Sequence, residues 1–390
     1  MLLETIGLFA EDRERAERWK YLTEGRIDRQ DHIERAHVRI ATEIMLDNMA
    51  NLIAMKERAR GTLLEDTVLA SFAPAFTTFA YPLVRRIMPR LIANELVSVQ
   101  PMTQPTGKVW YMDTYYAPAV PGADSPGGAA DRRVAANFDK DYGNSPGEGA
   151  SGVKEVHFRL SSVDVTADSK KLKTTWTIEA EQDIMAYHGL NVADELLNIM
   201  SDELVREIDR TLIADMLATA GAGNVNWAKS RPASGAYSTI DPKIYDETIW
   251  DAIIDADLLV FKKRYRKTSW LVAGPDVCAR FEKLNKFRSA FANPTEAQLA
   301  IQHGVHLFGT LSTRWTVYCD PWFEADKILL GYKGGSFLEA GYVYSPYIPV
   351  FTTPTWMDPA TFKTVRGMMS RYAKHNVVPE LYATVTLVDS

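Results

Sequence analysis

Cysteine is almost absent from this chain: Cys278 and Cys319 are the only two in 390 residues. Two cysteines cannot build a disulfide framework, and their scarcity suits a reducing compartment. Long apolar runs are missing too. The first residues interrupt a short apolar stretch with Glu4 and then become densely charged, and nowhere do about 18 apolar residues follow one another. Neither a secretion signal nor a membrane span is expected. An excess of positive charge is also lacking: 44 basic residues stand against 50 acidic ones, for a net charge of −6 and a pI near 5.7. A chain so balanced does not grip nucleic acid electrostatically, so DNA near it is expected to be enclosed without sequence-specific binding.

Catalytic patterns are equally scarce. Gly143-Asn-Ser145-Pro-Gly147 has the outline of a nucleophile elbow, but the residue after the nucleophile must donate its N–H to an oxyanion, and Pro146 has none. Gly221-Ala-Gly223 follows a helical stretch rather than a strand, and its third glycine is replaced by Asn226. Thr106-Gly107-Lys108 has Met102 and Val109 where a phosphate-cradling loop needs glycine and Ser or Thr. His303 and His306 have the spacing of one helix face, yet no Cys, Asp or Glu completes a metal site beside them. His32 and His37 lie in a charged segment, and His188 precedes a turn glycine. Glu179, Glu181 and Asp183, at period two after a strand, read as a solvated face. No catalytic residue, metal or cofactor is expected, and the chain is read as not an enzyme. A soluble hydrolase, testable at Ser145 or His306, is the alternative from a different class.

What is present is an ordinary core-forming composition, 46% hydrophobic and 24% charged, with room for two or three domains. The clearest element is Asn191 to Ala220. Leu196, Met200, Leu204, Ile208, Leu212 and Met216 recur every four residues, with Leu197, Val205 and Ile213 beside them. Asp194, Glu195, Asp202, Glu203, Arg206, Glu207, Asp209, Arg210, Asn198 and Ser201 take the other face. Asn191 is a good cap, and Gly221 and Gly223 are good stops. This predicts a long spine helix.

Before it, residues 11 to 60 read as charged helices, with Ile33, Ile40, Ile44, Met49 and Ile53 roughly on one side from an Asp28 cap to Gly61. Leu83 to Ile92 reads as a short apolar helix. Val97 to Met102 and Lys108 to Met112 read as strands. Residues 117 to 152 are rich in Gly, Pro, Ala, Asp and Ser and hold almost nothing to bury; since a strand enters and Val153 to Val165 leaves, they form the tip of a long two-stranded arm. Lys170 to Ile178 is a strand and a short helix runs through Asp183 and Tyr187. After the spine come a polar loop (221–241), a helix from Tyr245 to Arg264, and strands at Ser269–Ala273, Thr316–Cys319, Lys327–Tyr332, Tyr342–Phe351, Phe362–Met369 and Tyr382–Val388, with a turn at Pro354–Pro359.

Four blocks then carry a resemblance. They are Leu83-Val-Arg-Arg-Ile-Met-Pro-Arg-Leu-Ile-Ala-Asn94 with Val99-Gln-Pro-Met102 and Pro105-Thr-Gly107; Lys171-Leu-Lys-Thr-Thr-Trp-Thr-Ile-Glu179 with Asp183 and His188-Gly-Leu190; Gly331-Tyr-Lys-Gly334 through Tyr344-Ser-Pro-Tyr347; and Arg366-Gly367 to Arg371-Tyr372. In this order, across roughly residues 80 to 375, the chain resembles major capsid proteins of T-even-type tailed bacteriophages.

That resemblance implies an α+β, Hong Kong 97-type capsid fold: an N-terminal helical arm (1–69), a peripheral domain (70–111 and 170–221, with the spine), an extended-loop hairpin (112–169), an axial domain (222–332) and return strands (333–390). It implies a virion subunit that assembles in the host cytoplasm as hexamers and pentamers around double-stranded DNA, alongside scaffold, portal and decoration proteins. A vertex pentamer subunit or a nanocompartment shell protein is the alternative within the fold. The chain has no room near the extended loop for the large accessory domain of T-even relatives, so reinforcement is expected from separate decoration proteins. Leu63-Leu-Glu65 followed by Asp66 fits the family's maturation-cleavage pattern, and the competing reading is a helix end followed by a joint.

Overall fold

The structure, a computed structural model, describes residues 17–19, 36–61, 84, 87–116, 156–230, 241–264, 266–289, 305–335, 339 and 341–388. Helices α1 (Ala36–Gly61), α2 (Ala93–Leu96), α3 (Ile178–His188), α4 (Val192–Ala218), α5 (Pro242–Glu247), α6 (Ile249–Arg264) and α7 (Pro275–Glu282) accompany three sheets. The class is α+β, as expected.

In the first sheet, β13 (Lys363–Asn376) is the axis. It carries β4 (Asp168–Thr177) along one edge and, along the other, β11 (Tyr342–Thr352) followed by β12 (Trp356–Asp358), all antiparallel; β1 (Ser98–Val99) adds to β11 in parallel. The second sheet has seven strands. Its order is β5 (Gly223–Ala228), β14 (Ala383–Val388), β10 (Lys327–Gly331), β6 (Trp270–Ala273), β9 (Trp315–Cys319), β8 (His306–Leu311) and β7 (Phe287–Ser289). Its central strands β6 and β10 are buried almost throughout, which is why they read as continuous apolar runs. The third sheet is a hairpin of β2 (Thr106–Tyr116) and β3 (Val156–Thr166).

The spine helix α4 begins where its cap predicted: the Asn191 carboxamide oxygen accepts the Ala193 N–H at 3.0 Å. Met200, Leu204, Ile208, Leu212 and Met216 are buried, with Leu197 and Ile213, and α4 packs on β4 and β13. Each such side chain contributes about 1.5–3 kcal/mol. Leu196 differs, being only partly buried, and Leu197 takes its place. A four-residue row advances about 40° around the helix at each step, so its first member has turned out of the interface. Two residues assigned to the charged face, Ser201 and Asp209, are buried as well. An Asp209 carboxyl oxygen accepts the Ile92 N–H at 3.1 Å and the group also bonds Ala93, satisfying the first donors of α2. Farther along, Asp215 accepts the Tyr342 hydroxyl at 2.6 Å and pairs with Lys374 at 3.4 Å, tying the spine to β11 and β13.

Other expectations shift. The apolar stretch at 83–92 is not one helix: Pro89 sits in a 3-10 turn (Met88–Arg90) that Leu91, in extended conformation, ends. In α1 the buried face is Val38, Ala41, Met45, Leu46 and Met49, whereas Ile40 is exposed. The polar segment after the spine holds β5, whose pattern Gly-Asn-Val-Asn-Trp-Ala buries Trp227 and exposes Asn224 and Asn226. Tyr245 to Arg264 divides at Thr248 into α5 and α6, and Ile254 and Leu258 face solvent while Ala252, Ala256 and Val260 are buried. The Pro354–Pro359 turn contains β12.

Candidate assembly surfaces

The hairpin is built with two unlike faces. Alternation puts Val109 and Val165 on one of them, where both are buried with Met102, Ala167, Val343 and Ala373 against the first sheet. On the opposite face Met112 stands across from Leu160, Trp110 from Ser162 and Lys108 from Asp164. Trp110 is 42%, Met112 41% and Leu160 47% exposed. Lys108 and Asp164 form an ion pair of 3.6 Å, so Thr106-Gly107-Lys108 is strand and not a phosphate loop. Gln100 fixes the tryptophan from the side: its carboxamide accepts the Trp110 N–H at 3.2 Å and donates to the Trp110 carbonyl at 3.0 Å, copying one rung of a strand ladder.

A second apolar surface lies at the other end of the first sheet. The β12–β13 turn presents Trp356, Met357 and Phe362, with Phe362 at φ 52°, stabilised by Asp358, which accepts from the Ala360 N–H and the Thr361 hydroxyl. In β13, Lys363 and Thr364 pair with Thr177 and Trp176, so this turn stands beside the start of α3. On α3 and the turn after it, Met185, Tyr187 and Leu190 are exposed, and Tyr187 is 84% accessible. Sequence reasoning placed Tyr187 on a helix and Trp356 in a turn but assigned neither a role. The available signal was a large aromatic amid polar neighbours.

Candidate chemistry does not converge. Among the described residues no group of three His, Cys, Asp or Glu side chains is placed to hold a metal ion. His306 begins strand β8 rather than sharing a helix face, and His303 lies outside the described residues. Glu179, Glu181 and Asp183 lie on helix α3, not on a strand end, and Glu181 accepts the Trp176 indole N–H at 2.8 Å. His188 is exposed at the end of α3. Ser145, His32, and the cleavage candidates Leu63, Glu65 and Asp66 also lie outside the described residues. Gly223, at φ 139°, and Gly221, packed against Pro379, follow the spine as chain-direction changes.

A family model described as Major capsid protein Gp23 matches residues 74–144 and 129–389. Major capsid proteins of Vibrio phage KVP40 (26% identical over 230 residues, 56% of this chain and 45% of the relative) and Enterobacteria phage T4 (26% over 231 residues, 56% and 44%) are similar. That of Serratia phage KSP90 is 28% identical over 245 residues, 59% of this chain and 54% of the relative. The chain spans about half the length of the curated relatives it matches. Among solved structures, the capsid of Myoviridae Phage XM1 aligns over 76% of this chain and 92% of that one, at 10% identity and a TM-score of 0.43. The capsid of a native GTA particle gives 76%, 89%, 11% and 0.46. Likeness at those scores carries no argument, whereas the sequence match covers most of the chain: it belongs to the Major capsid protein Gp23 family.

Proposed function

We propose that this chain is the repeating subunit of an icosahedral phage head, assembling as hexamers and pentamers around double-stranded DNA. In this reading the Hong Kong 97-type division applies: arm 1–69, peripheral domain 70–111 and 170–221, extended loop 112–169, axial domain 222–332 and return strands 333–390. One observation carries the assembly reading beyond family membership. The β2–β3 hairpin uses one apolar face to root itself on its own subunit and leaves Trp110, Met112 and Leu160 exposed on the other. A two-stranded ribbon gains order by lying on another surface, and many copies of a modest contact add up in a closed shell. Its acidic balance suits a container whose wall does not retain DNA. Scaffold, portal and decoration proteins are the implied partners, the virion is the location, and assembly proceeds in the host cytoplasm.

The test is electron microscopy of the protein expressed in bacteria, alone and with Trp110→Asp plus Leu160→Asp. Shells or hexamers from the parent and folded, unassembled subunits from the variant are expected. A variant that assembles as well as the parent sinks the hairpin reading. Deleting 120–150 should likewise leave a folded subunit that assembles poorly; an unfolded one counts against the arm. N-terminal mass spectrometry of virions tests cleavage at Leu63-Leu-Glu65, with a start at Asp66 expected if the protease acts there.

A further inference from the structure

The two cysteines are distant in sequence and adjacent in the fold. Cys319 ends β9, in register with Ala273, the last residue of β6. The turn at Gly274-Pro275 then folds α7 back over that strand end, with the Cys278 N–H donated to the Gly274 carbonyl at 3.0 Å. The Cys278 sulfur lies 3.7 Å from the Ala273 carbonyl oxygen, so both cysteines sit at the same strand end, and their side chains hydrogen-bond each other. Their contact holds the Cys319 thiol below its ordinary range and, with burial, pushes Cys278 up. Both are buried, Cys278 2% and Cys319 6% exposed. Asp320, next in the chain, lines a cleft of about 400 Å³ between the spine and Trp322.

We propose that Cys278 and Cys319 are a site of oxidative modification, closed to an intrachain disulfide by a small two-electron oxidant of the peroxide class. The Cys319 thiolate attacks one peroxide oxygen and breaks the O–O bond, giving a sulfenic acid and releasing hydroxide. The Cys278 sulfur then attacks the Cys319 sulfur, and its proton leaves with the displaced hydroxyl as water. Two thiols lose two electrons and one peroxide gains them. The bridge joins α7 to β9 and constrains the unfolded chain.

The experiment treats the full chain with hydrogen peroxide, then with an alkylating agent, and maps peptides without reduction. A linked Cys278–Cys319 peptide about 2 Da lighter than its two thiol parts is expected, with a thermal midpoint about 5 °C or more above the reduced protein. In Cys278→Ser, a sulfenic acid on Cys319 should be trapped by a dimedone-type reagent. Two thiols that both alkylate after treatment of the parent, separate sulfinic or sulfonic acids, or links only between chains would overturn the proposal. The parent measurement decides even if the variant folds poorly.

Discussion

Helices α3 and α4 are consecutive, separated by Gly189, Leu190 and Asn191, yet α4 buries ten residues and α3 none. The longer helix is stabilised from outside, by side chains packed on β4 and β13. The shorter one is specified locally. Thr177 caps it by accepting the Ala180 N–H at 3.3 Å, Glu179 and Glu181 favour its positive end, and Gly189 at φ 66° closes it through an N–H donated to the Met185 carbonyl. Eleven residues held by caps are marginal alone. The exposed Met185 and Tyr187 of α3 therefore do nothing for the subunit's own core, and in the proposed shell they are open to a neighbour.

The comparison can be broken in graded steps. The greatest effect is expected from Ile208→Asp on the spine, where an unpaired charge at a side chain 1% exposed costs several kcal/mol. Soluble, cooperatively melting Ile208→Asp protein would show that the spine is not the stabilising element.

Next comes Asp209. Replacement by Ala leaves the α2 donors unmet and should cost about 1–3 kcal/mol in urea unfolding, whereas Asn keeps an acceptor and should cost less. The pH dependence separates the parent from both. Burial raises the Asp209 carboxyl well above its usual range, despite the opposing hydrogen bonds from Ile92 and Ala93. The folded state thus holds a proton that the unfolded chain releases near pH 4, about the ordinary aspartate value. That contribution is complete below this pH and is lost as pH rises through the folded pKa. The parent-minus-Asn stability difference should fall across that interval, and a difference independent of pH would mean that Asp209 is ionised throughout.

Thr177→Ala should cost about 1 kcal/mol, confined to α3, seen as faster amide exchange there with the global melt nearly unchanged. The smallest effect on folding belongs to Tyr187→Glu, within about 0.5 kcal/mol. Shell assembly should fall all the same, and normal shells from that variant would remove α3 from the contact surface.

The spine, its cap and the buried strands β6, β9 and β10 were legible because one strong pattern, or one dense apolar run, admitted a single structure. β5 was hidden because an edge strand with Asn224 and Asn226 outward has the composition of a loop. In α1, two apolar stripes compete, and the tertiary surface selects Met45 and Leu46, together with Met49 of the expected stripe, over Ile40. Asp209 was assigned to solvent because its partner, the backbone of Ile92 and Ala93, lies more than a hundred residues away. The assembly surfaces were harder still. Alternation placed Trp110 in a strand, but only the pairing of β2 with β3 shows Met112 and Leu160 opposite one another.

Helix α1 also bears on how the arm would be released by the proposed cleavage. The Asn48 side-chain amide donates to both the Met102 carbonyl, at 2.8 Å, and the Tyr347 carbonyl, at 2.9 Å, while Met45, Leu46 and Met49 are wholly buried beside it. A protease acting after Glu65 would sever the covalent link and leave these contacts intact. Cutting and departure would then be separate events: the nicked subunit would be a two-chain complex, and the arm would leave only when some later rearrangement gave its apolar seat a different occupant.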